Sequence, residues 1–289
     1  MTMGKVVIIG GSGVKDSPAF ERLEWKVIGT GISNSVGDGV VEYQEGEGVI
    51  FIPRHGRHPN NYGPSVTQYG ANLVAAKMLG ANVVIATSAV GSLQPYIGVG
   101  SLVVPKSYVD ESGRNDNLFG VGIVIHANPR PAFSKELREI LLDVGRSGDY
   151  FSAVCPGTET YVTIPGDRFG TGAEGEKRSQ YAHIVGMTAC PEASMAMQLN
   201  MHYAIAAFVV DNDADASHEH GTLEVMKKLS APERVPAYVA AIIERAKVFA
   251  QTAGRIPNLS GNIIPGDTSR IRNPNLKEIA DELIQTYCK

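Results

Sequence analysis

Four apolar segments of the chain are each followed directly by polar or glycine-rich residues. These polar turns are Gly10–Gly13, Arg54–Arg57, Ser88–Ser92 and Asp211–Asp215. In open α/β sheets, ligands bind beyond the carboxyl ends of the strands, so this arrangement predicts that the four turns meet at one site. Together they offer a guanidinium, an imidazole, hydroxyls and backbone N–H groups, which is the set of groups that holds a tetrahedral anion such as phosphate.

The groups expected to hold the anion come from three of these turns. They are the side chains of Ser12, Arg54, His55 and Ser88 and the backbone N–H groups of Gly11, Gly13 and Ala89. The carboxylates of Asp213 and Asp215 are expected to lie apart from the anion, because carboxylates accept hydrogen bonds and suit a base that bears N–H donors. The four turns therefore predict a site for an anion and a heterocyclic base.

Each turn also has a simpler interpretation when it is taken alone. Gly10–Gly13 lacks the lysine of a P-loop and the third glycine of a dinucleotide fingerprint, so it is equally a tight turn. Arg54–Arg57 alone is a solvated basic turn, and Asp211–Asp215 alone is a solvated acidic loop. The acidic run lacks the glycine and the downstream glutamate of a calcium loop. His218 and His220 have no third ligand at helical spacing, so no metal site is expected.

Apolar strands that alternate with helices must position these residues. Strands are predicted over residues 5–9, 48–53, 82–87, 101–109, 159–164, 184–187 and 203–210, and helices over residues 67–79, 133–144, 191–199, 236–250 and 276–287. Near-continuous apolar strands between helices indicate an α/β fold with helices on both faces of the sheet. Residues 1–253 are expected to form one domain, and residues 254–289 a C-terminal extension with a terminal helix packed on that domain.

Composition and charge exclude several classes of protein. Hydrophobic residues make up 43% and charged residues 19% of the chain, as in ordinary globular enzymes. The net charge of −4 without a basic stripe argues against a nucleic-acid binder. The three cysteines have neither metal nor disulfide spacing, and no signal peptide or membrane-spanning run is visible. We therefore expect a soluble, cytoplasmic enzyme without nucleic-acid or membrane partners.

Five motifs occur along the chain in a characteristic order. They are Ile-Gly-Gly-Ser-Gly (9–13), Arg-His-Gly-Arg (54–57), Thr-Ser-Ala-Val-Gly-Ser-Leu (87–93), Gly-Asp-Arg-Phe-Gly-Thr-Gly-Ala-Glu (166–174) and Gly-Met-Thr-Ala-Cys-Pro-Glu-Ala (186–193). With them, and with Asn-Asp-Ala-Asp (212–215), the chain resembles the trimeric methylthioadenosine phosphorylase and purine nucleoside phosphorylase family from about Val6 to Val248. The resemblance implies a single-domain nucleoside phosphorylase fold with a mixed central β-sheet flanked by helices.

The resemblance also implies roles for individual residues. The phosphate pocket is matched by Ser12, Arg54, His55, Ser88, Ala89 and Thr188, and the nucleoside pocket by Phe169, Gly170, Met187, Asp213, Asp215 and His126. Phe169 would pack on the purine, Met187 would lie under the ribose, and His126 would reach the 5′ pocket of a neighbouring subunit. The assembly implied is a homotrimer or a hexamer.

The reaction implied is phosphorolysis of the N-glycosidic bond of a purine nucleoside by a pentosyltransferase. S-methyl-5′-thioadenosine and phosphate would give adenine and 5-methylthioribose 1-phosphate, a step of purine and methionine salvage that needs no metal or organic cofactor. Arg54, His55 and Asp213 would be the catalytic residues. Arg54 would fix the phosphate in line, and Asp213, with a pKa raised by burial, would act as general acid towards N7.

The choice of purine follows from donors and acceptors. Asp213 and Asp215 favour a 6-aminopurine, because a carboxylate accepts from the N6 amine and repels an O6 acceptor. Asp167, Gly170 and Asn212 depart from the family pattern near the base, and a shift of one residue would place an amide in the site. Inosine, guanosine, adenosine and methylthioinosine therefore stay alternative substrates. A hydrolytic nucleosidase, which the anion pocket disfavours, and a nucleoside-binding protein without turnover also stay open.

Overall fold

The computed structural model describes residues 4–11, 14, 17–57, 61–213 and 222–288. The strands found in this part of the chain are β1 Lys5–Gly10, β2 Trp25–Gly29, β3 Val40–Gly46, β4 Val49–Pro53, β5 Ala81–Ser92, β6 Leu102–Val103, β7 Ser107–Asp110, β8 Ile123–Ile125, β9 Thr160–Thr163, β10 Ile184–Gly186, β11 His202–Asn212 and β12 Ile263–Pro265. The α-helices are α1 Tyr69–Met78, α2 Lys135–Ser147, α3 Gly172–Ser179, α4 Glu192–Gln198, α5 Thr222–Leu229, α6 Val235–Thr252 and α7 Pro274–Tyr287. None of the helices described here is long and apolar enough to cross a membrane.

Most of the strands join one mixed sheet that branches at β5. Its main path runs β2-β3-β4-β1-β5-β10-β9-β7, and β11 pairs with β5 and β6. β5 pairs in parallel with β1 and β11, and its last two residues, Gly91 and Ser92, pair antiparallel with β10. The predicted mixed sheet flanked by helices is confirmed.

Two hydrophobic clusters cover the two faces of this sheet. Along β1, Val7 and Ile9 point into one cluster and Val6 and Ile8 into the other, because successive side chains of a strand face opposite sides. Helices α1, α4 and α7 contribute buried residues to the first cluster, and α2 and α6 to the second. Since both faces are buried, the central strands read as continuous apolar runs.

The C-terminal segment packs against the first cluster. Helix α7 buries Leu276, Ile279 and Leu283 there. Strand β12 pairs antiparallel with β8, outside the main sheet. The division of the chain at residue 253 stays a prediction.

Two of the predicted turns are wrong, because the strands run further than their apolar cores. Ser88–Ser92 belongs to β5, and Asp211 and Asn212 belong to β11. The two strands pair with each other up to Ser92 and Asn212, so their main chains stay in the ladder although the side chains are polar. Residues of these strands, and not only the loops after them, can therefore line a site.

The predicted strand over residues 101–109 is also wrong, because it divides into β6 and β7. Pro105 lies between the two and has no N–H to give to a ladder. Strands β2 and β3 were not predicted: β2 is an edge strand whose side chains are largely exposed, and Val27 is 68% exposed. The apolar pattern of the β2 sequence is therefore too weak to indicate a strand.

Candidate active site

One cavity of about 240 Å³ lies where the sheet branches. Its walls come from the second half of β5, from β10 and β11, and from residues that follow β1, β4 and β9. Ten residues predicted for the site line it, namely Gly11, Arg54, His55, Ser88, Ala89, Phe169, Gly170, Met187, Thr188 and Asp213. Ala89 is exposed in the middle of an otherwise buried strand, since it faces this space.

Of the other residues predicted for the site, Ser12, Gly13 and Asp215 lie outside the described residues. His126 follows β8, and its N–H donates to the carbonyl of Asn262 at 2.9 Å. It lines a different cavity, beside Tyr108. In its own chain, His126 is thus separated from the residues predicted to bind the nucleoside.

Arg54 is held in place by a buried carboxylate. It directly follows β4, and its N–H donates to the Gly10 carbonyl at 2.9 Å, which continues the ladder with β1. Its side chain is 2% exposed, and its Nε and Nη2 donate to the two oxygens of Glu192, each at 2.9 Å. Glu192 is fully buried and also accepts from the Tyr203 hydroxyl at 2.8 Å.

This pairing changes what Arg54 offers to a ligand. Its Nη1 also donates to the Thr87 carbonyl at 2.7 Å, and Nη2 to the Ile9 carbonyl at 3.1 Å. A guanidinium has five N–H groups, so the bonds made within the described residues leave one on Nη1. Burial has the largest single effect and lowers the pKa of Arg54, but the charge and the hydrogen bonds of Glu192, together with the neighbouring tyrosines, raise that pKa above its ordinary value. Arg54 is therefore a directed donor whose charge is balanced by Glu192.

His55 is neutral and its tautomer follows from its partners. Burial, and next the charge of Arg54, lower its pKa below the ordinary value. Nδ1 lies 2.9 Å from the carbonyl of Tyr62 and 3.2 Å from the Thr67 hydroxyl, which itself donates to Gly63. Because a carbonyl only accepts, Nδ1 carries the proton and Nε2 is left as an acceptor. The Nε2 edge of the ring lies beside Gly11.

Hydroxyl groups cluster beside Arg54. The Ser88 Oγ lies 3.0 Å from the Tyr161 hydroxyl and 3.1 Å from the Thr188 Oγ1. All three side chains are buried or nearly so, and burial raises the pKa of Tyr161. Each hydroxyl both donates and accepts, so the cluster can turn its protons towards an anion. Together with Arg54 and His55 it forms what we call the anion end of the cavity.

Asp213 and Phe169 belong to a second part of the lining, which we call the base end. The Asp213 N–H donates to the Ser92 carbonyl at 2.8 Å, directly after β11. A Cβ at position 91 would lie 1.8 Å from the Asp213 Oδ2, so only glycine at that position admits the carboxylate. Phe169 lines the same part of the cavity and is 56% exposed. Asn212 is not part of the lining, so the structure places a carboxylate and not an amide there.

A third part of the lining is apolar. It consists of Phe208, Val210, Met226, Leu229 and Val235, from β11, α5 and the start of α6. Asp211 also borders this region, but its carboxylate accepts from the Asn212 N–H at 2.8 Å and from the Thr222 hydroxyl at 3.1 Å. We call these five side chains the apolar wall.

Sequence reasoning missed Glu192, Tyr161 and Arg114. These residues do not line the cavity themselves but form hydrogen bonds with residues that do. Glu192 belongs to the motif over residues 186–193, where it was interpreted only as the start of a helix. A carboxylate within a segment of small apolar residues is a signal for a buried cation. Tyr161 and Arg114 carried no such signal. Among the described side chains, no group of three or more His, Cys, Asp or Glu is placed to hold a metal ion.

The fold and the cavity define an α/β protein whose candidate site lies where its sheet branches and combines buried hydrogen-bond donors with a carboxylate and an aromatic ring. The family model of the phosphorylase superfamily matches residues 5–244. The chain therefore belongs to the phosphorylase superfamily.

Individual relatives share this architecture over most of their length. The S-methyl-5′-thioadenosine phosphorylase of Thermococcus kodakarensis is 36% identical over 231 residues, which are 79% of this chain and 87% of that protein. A methylthioadenosine phosphorylase from an antarctic soil metagenomic library superposes with a TM-score of 0.78 at 28% identity, covering 96% of this chain and 99% of the other. A mutant adenosine/methylthioadenosine phosphorylase of Schistosoma mansoni in complex with methylthioadenosine gives a TM-score of 0.74 at 26% identity, covering 87% and 98%.

Proposed function

We propose that the protein is a purine nucleoside phosphorylase with S-methyl-5′-thioadenosine as its preferred nucleoside. The observation that carries this proposal is a single cavity that holds the anion end, the base end and the apolar wall. The similarity to S-methyl-5′-thioadenosine phosphorylases supports it. The products are adenine and 5-methylthioribose 1-phosphate.

Phosphate binds at the anion end mainly through directed hydrogen bonds, because the charge of Arg54 is already balanced by Glu192. The free N–H of Arg54 and the hydroxyls of Ser88 and Thr188 donate to the unprotonated oxygens. The Nε2 of His55 accepts from a P–OH group, because its Nδ1 proton is directed at the Tyr62 carbonyl. Holding the nucleophile in one orientation beneath the sugar supplies much of the rate gain.

The glycosidic bond breaks as the purine departs from C1′. The bond from N9 to C1′ breaks, the sugar becomes oxocarbenium-like, and a phosphate oxygen forms the new bond to C1′. The electron pair goes to the purine ring, which takes a proton at N7 from Asp213 acting as general acid. Phe169 packs on the purine. Asp213 lies directly after β11, where its main chain is held by Ser92.

The apolar wall favours an uncharged 5′ substituent. Burying a methyl or methylene group gains about 0.8 kcal/mol, whereas a buried charge without a partner is strongly unfavourable. A methylthio group therefore suits Met226 and Leu229 better than a 5′-phosphate does. Adenosine, with a 5′ hydroxyl, is the expected second substrate.

A homotrimer is the proposed assembly, with His126 completing the 5′ pocket of the neighbouring subunit. In its own chain His126 lines a different cavity from the one that holds the anion end and the base end, which is consistent with such a role. Gel filtration with light scattering measures the mass of the assembly. An active monomer would remove His126 from the site.

The decisive experiment is purine release from methylthioadenosine with and without phosphate, beside adenosine and inosine. Phosphate-dependent adenine release, fastest from methylthioadenosine, is expected. Faster release of hypoxanthine from inosine would overturn the proposed base preference, and release without phosphate would make the protein a hydrolase.

One pair of variants assigns the base end. Asp213→Asn should lower turnover of methylthioadenosine about 10²–10⁴-fold, because the general acid is removed. Asp149→Asn makes the same change at an exposed site and should leave turnover unchanged. Equal rates for both variants would remove Asp213 from the mechanism.

A further inference from the structure

We propose that Arg114 is a positioning residue that fixes two segments of the cavity wall, one around Met187 and one around Phe169, relative to each other. The inference rests on the proposed function, since it concerns how that site is kept in shape. Arg114 lies outside the lining of the cavity. It acts through the main chain of Met187, which lines the cavity, and of Pro165 and Cys190, which lie close in sequence to lining residues.

Arg114 is bound almost entirely through main-chain oxygens. It lies in the loop after β7, where its own N–H donates to the Ser112 hydroxyl at 3.3 Å. Nη1 donates to the carbonyls of Met187 and Cys190, each at 2.7 Å, and Nη2 donates to the carbonyl of Pro165. The guanidinium carbon lies 5.2 Å from the centre of the Tyr69 ring.

The bond to Met187 fixes a peptide unit of the cavity wall at both ends. The Met187 carbonyl accepts from the Arg114 Nη1 at 2.7 Å. The N–H of the same peptide unit belongs to Thr188 and donates to the Tyr161 hydroxyl at 3.4 Å. Because the peptide unit is planar, fixing its oxygen and its N–H fixes its orientation. The backbone of Met187 and the hydroxyl of Thr188 are thereby directed into the cavity together.

The bond to Pro165 reaches the other segment. Pro165 lies between Ile164 and Phe169, which both line the cavity. One planar guanidinium thus joins two stretches of wall that are not neighbours in sequence. The fork geometry matters, because an ammonium group has no planar set of donors with which to hold carbonyls on both sides.

Arg138 provides a matched control. Its guanidinium also donates to main-chain carbonyls, of Pro105 at 2.8 Å, of Val104 at 3.4 Å and of Gly157. It is half-buried like Arg114, but none of these carbonyls belongs to a residue that lines the cavity. Loss of either arginine removes a similar set of bonds, and only one of the two supports the site.

The experiment compares the wild type with Arg114→Gln, Arg114→Lys and Arg138→Gln. Steady-state rates are measured with methylthioadenosine and phosphate varied in turn, and thermal midpoints are recorded for each protein. Equilibrium binding of methylthioadenosine and of inorganic phosphate is measured by calorimetry on the same samples. For Arg114→Gln, both Michaelis constants are expected to rise and kcat/KM to fall about tenfold to a hundredfold, since small displacements of positioning groups have effects of that size. The kcat/KM of Arg114→Lys should lie between those of the wild type and Arg114→Gln. Arg138→Gln should have a lower thermal midpoint but unchanged kinetic constants.

Two results would overturn the inference. Arg114→Gln with a lowered midpoint but unchanged kinetic constants would make the arginine purely structural, and equal kinetic losses in Arg138→Gln would show general destabilisation. If Arg114→Gln does not fold, Arg114→Lys is judged by the same criteria. A wild type without phosphate-dependent turnover refutes the proposed function instead, and the calorimetric comparison then decides on Arg114 separately.

Discussion

Replacing Glu192 with Gln is expected to destabilise the protein strongly, although the two side chains have nearly the same shape. In the wild type, the Glu192 carboxylate accepts two hydrogen bonds from Arg54 at 2.9 Å and one from Tyr203 at 2.8 Å. Arg54 is 2% exposed and Glu192 is fully buried, so solvent cannot take over when the negative charge is lost. Glu192→Gln leaves the guanidinium charged and without its counter-ion.

The size of the effect follows from this burial. Removing one partner of a buried ion pair costs about 3–5 kcal/mol, whereas exposed pairs contribute about 0–1 kcal/mol. At about 2–4 °C per kcal/mol for a protein of this order of size, the thermal midpoint should fall by roughly 6–20 °C. Tyr203→Phe removes only one hydrogen bond to the carboxylate and should cost about 1.5–3 kcal/mol.

The assay is urea and thermal unfolding of matched variants. Glu45→Gln is the control, because Glu45 is a partly exposed carboxylate that pairs with Lys5 at 2.7 Å and Lys26 at 3.2 Å. The double variant Glu192→Leu with Arg54→Met removes both buried charges and should be more stable than Glu192→Gln alone. A Glu192→Gln protein whose free energy of unfolding lies within about 1 kcal/mol of that of the Glu45→Gln protein would refute the reasoning.

Three further predictions concern the cavity. Gly91→Ala places a Cβ 1.8 Å from the Asp213 Oδ2 and should lower turnover about as much as Asp213→Asn does; unchanged turnover would show that the carboxylate can work from another position. Because burial lowers the pKa of His55, the unfolded chain takes up a proton before the folded protein does as pH falls below about 6.5. The free energy of unfolding should therefore decrease in that range, and His55→Gln should show a shallower decrease in urea titrations; an equal slope would contradict this. Met226→Glu should raise the Michaelis constant for methylthioadenosine about tenfold more than that for adenosine, and a parallel change would place the 5′ group elsewhere.

The central strands and the residues around the anion end were predictable from the sequence because one physical rule dominates them. Strands buried on both faces read as apolar runs, so the ends of β1 and β4 were visible, and with them Arg54 and His55. The ends of β5 and β11 were not visible, because each strand keeps its partner after its side chains turn polar.

The partners of the supporting residues could not be predicted from the sequence for a different reason. Glu192 is 138 residues from Arg54, and Arg114 is 73 residues from Met187. Neither separation corresponds to the period of a helix or a strand. Every residue has a main-chain carbonyl, so a hydrogen bond to a carbonyl does not require a particular residue type at the accepting position. Such contacts emerge only from the topology of the sheet.

The buried pairing of Arg54 with Glu192 has a consequence for how members of this superfamily diverge. At the anion end, a substitution disturbs the same interior that holds the sheet together, so a change of co-substrate there would endanger folding. Phe169 is exposed, and Gly170 lies in the loop between β9 and α3 rather than in a strand of the sheet. New nucleoside preferences are therefore expected to arise by drift at the base end, while phosphate stays the constant partner.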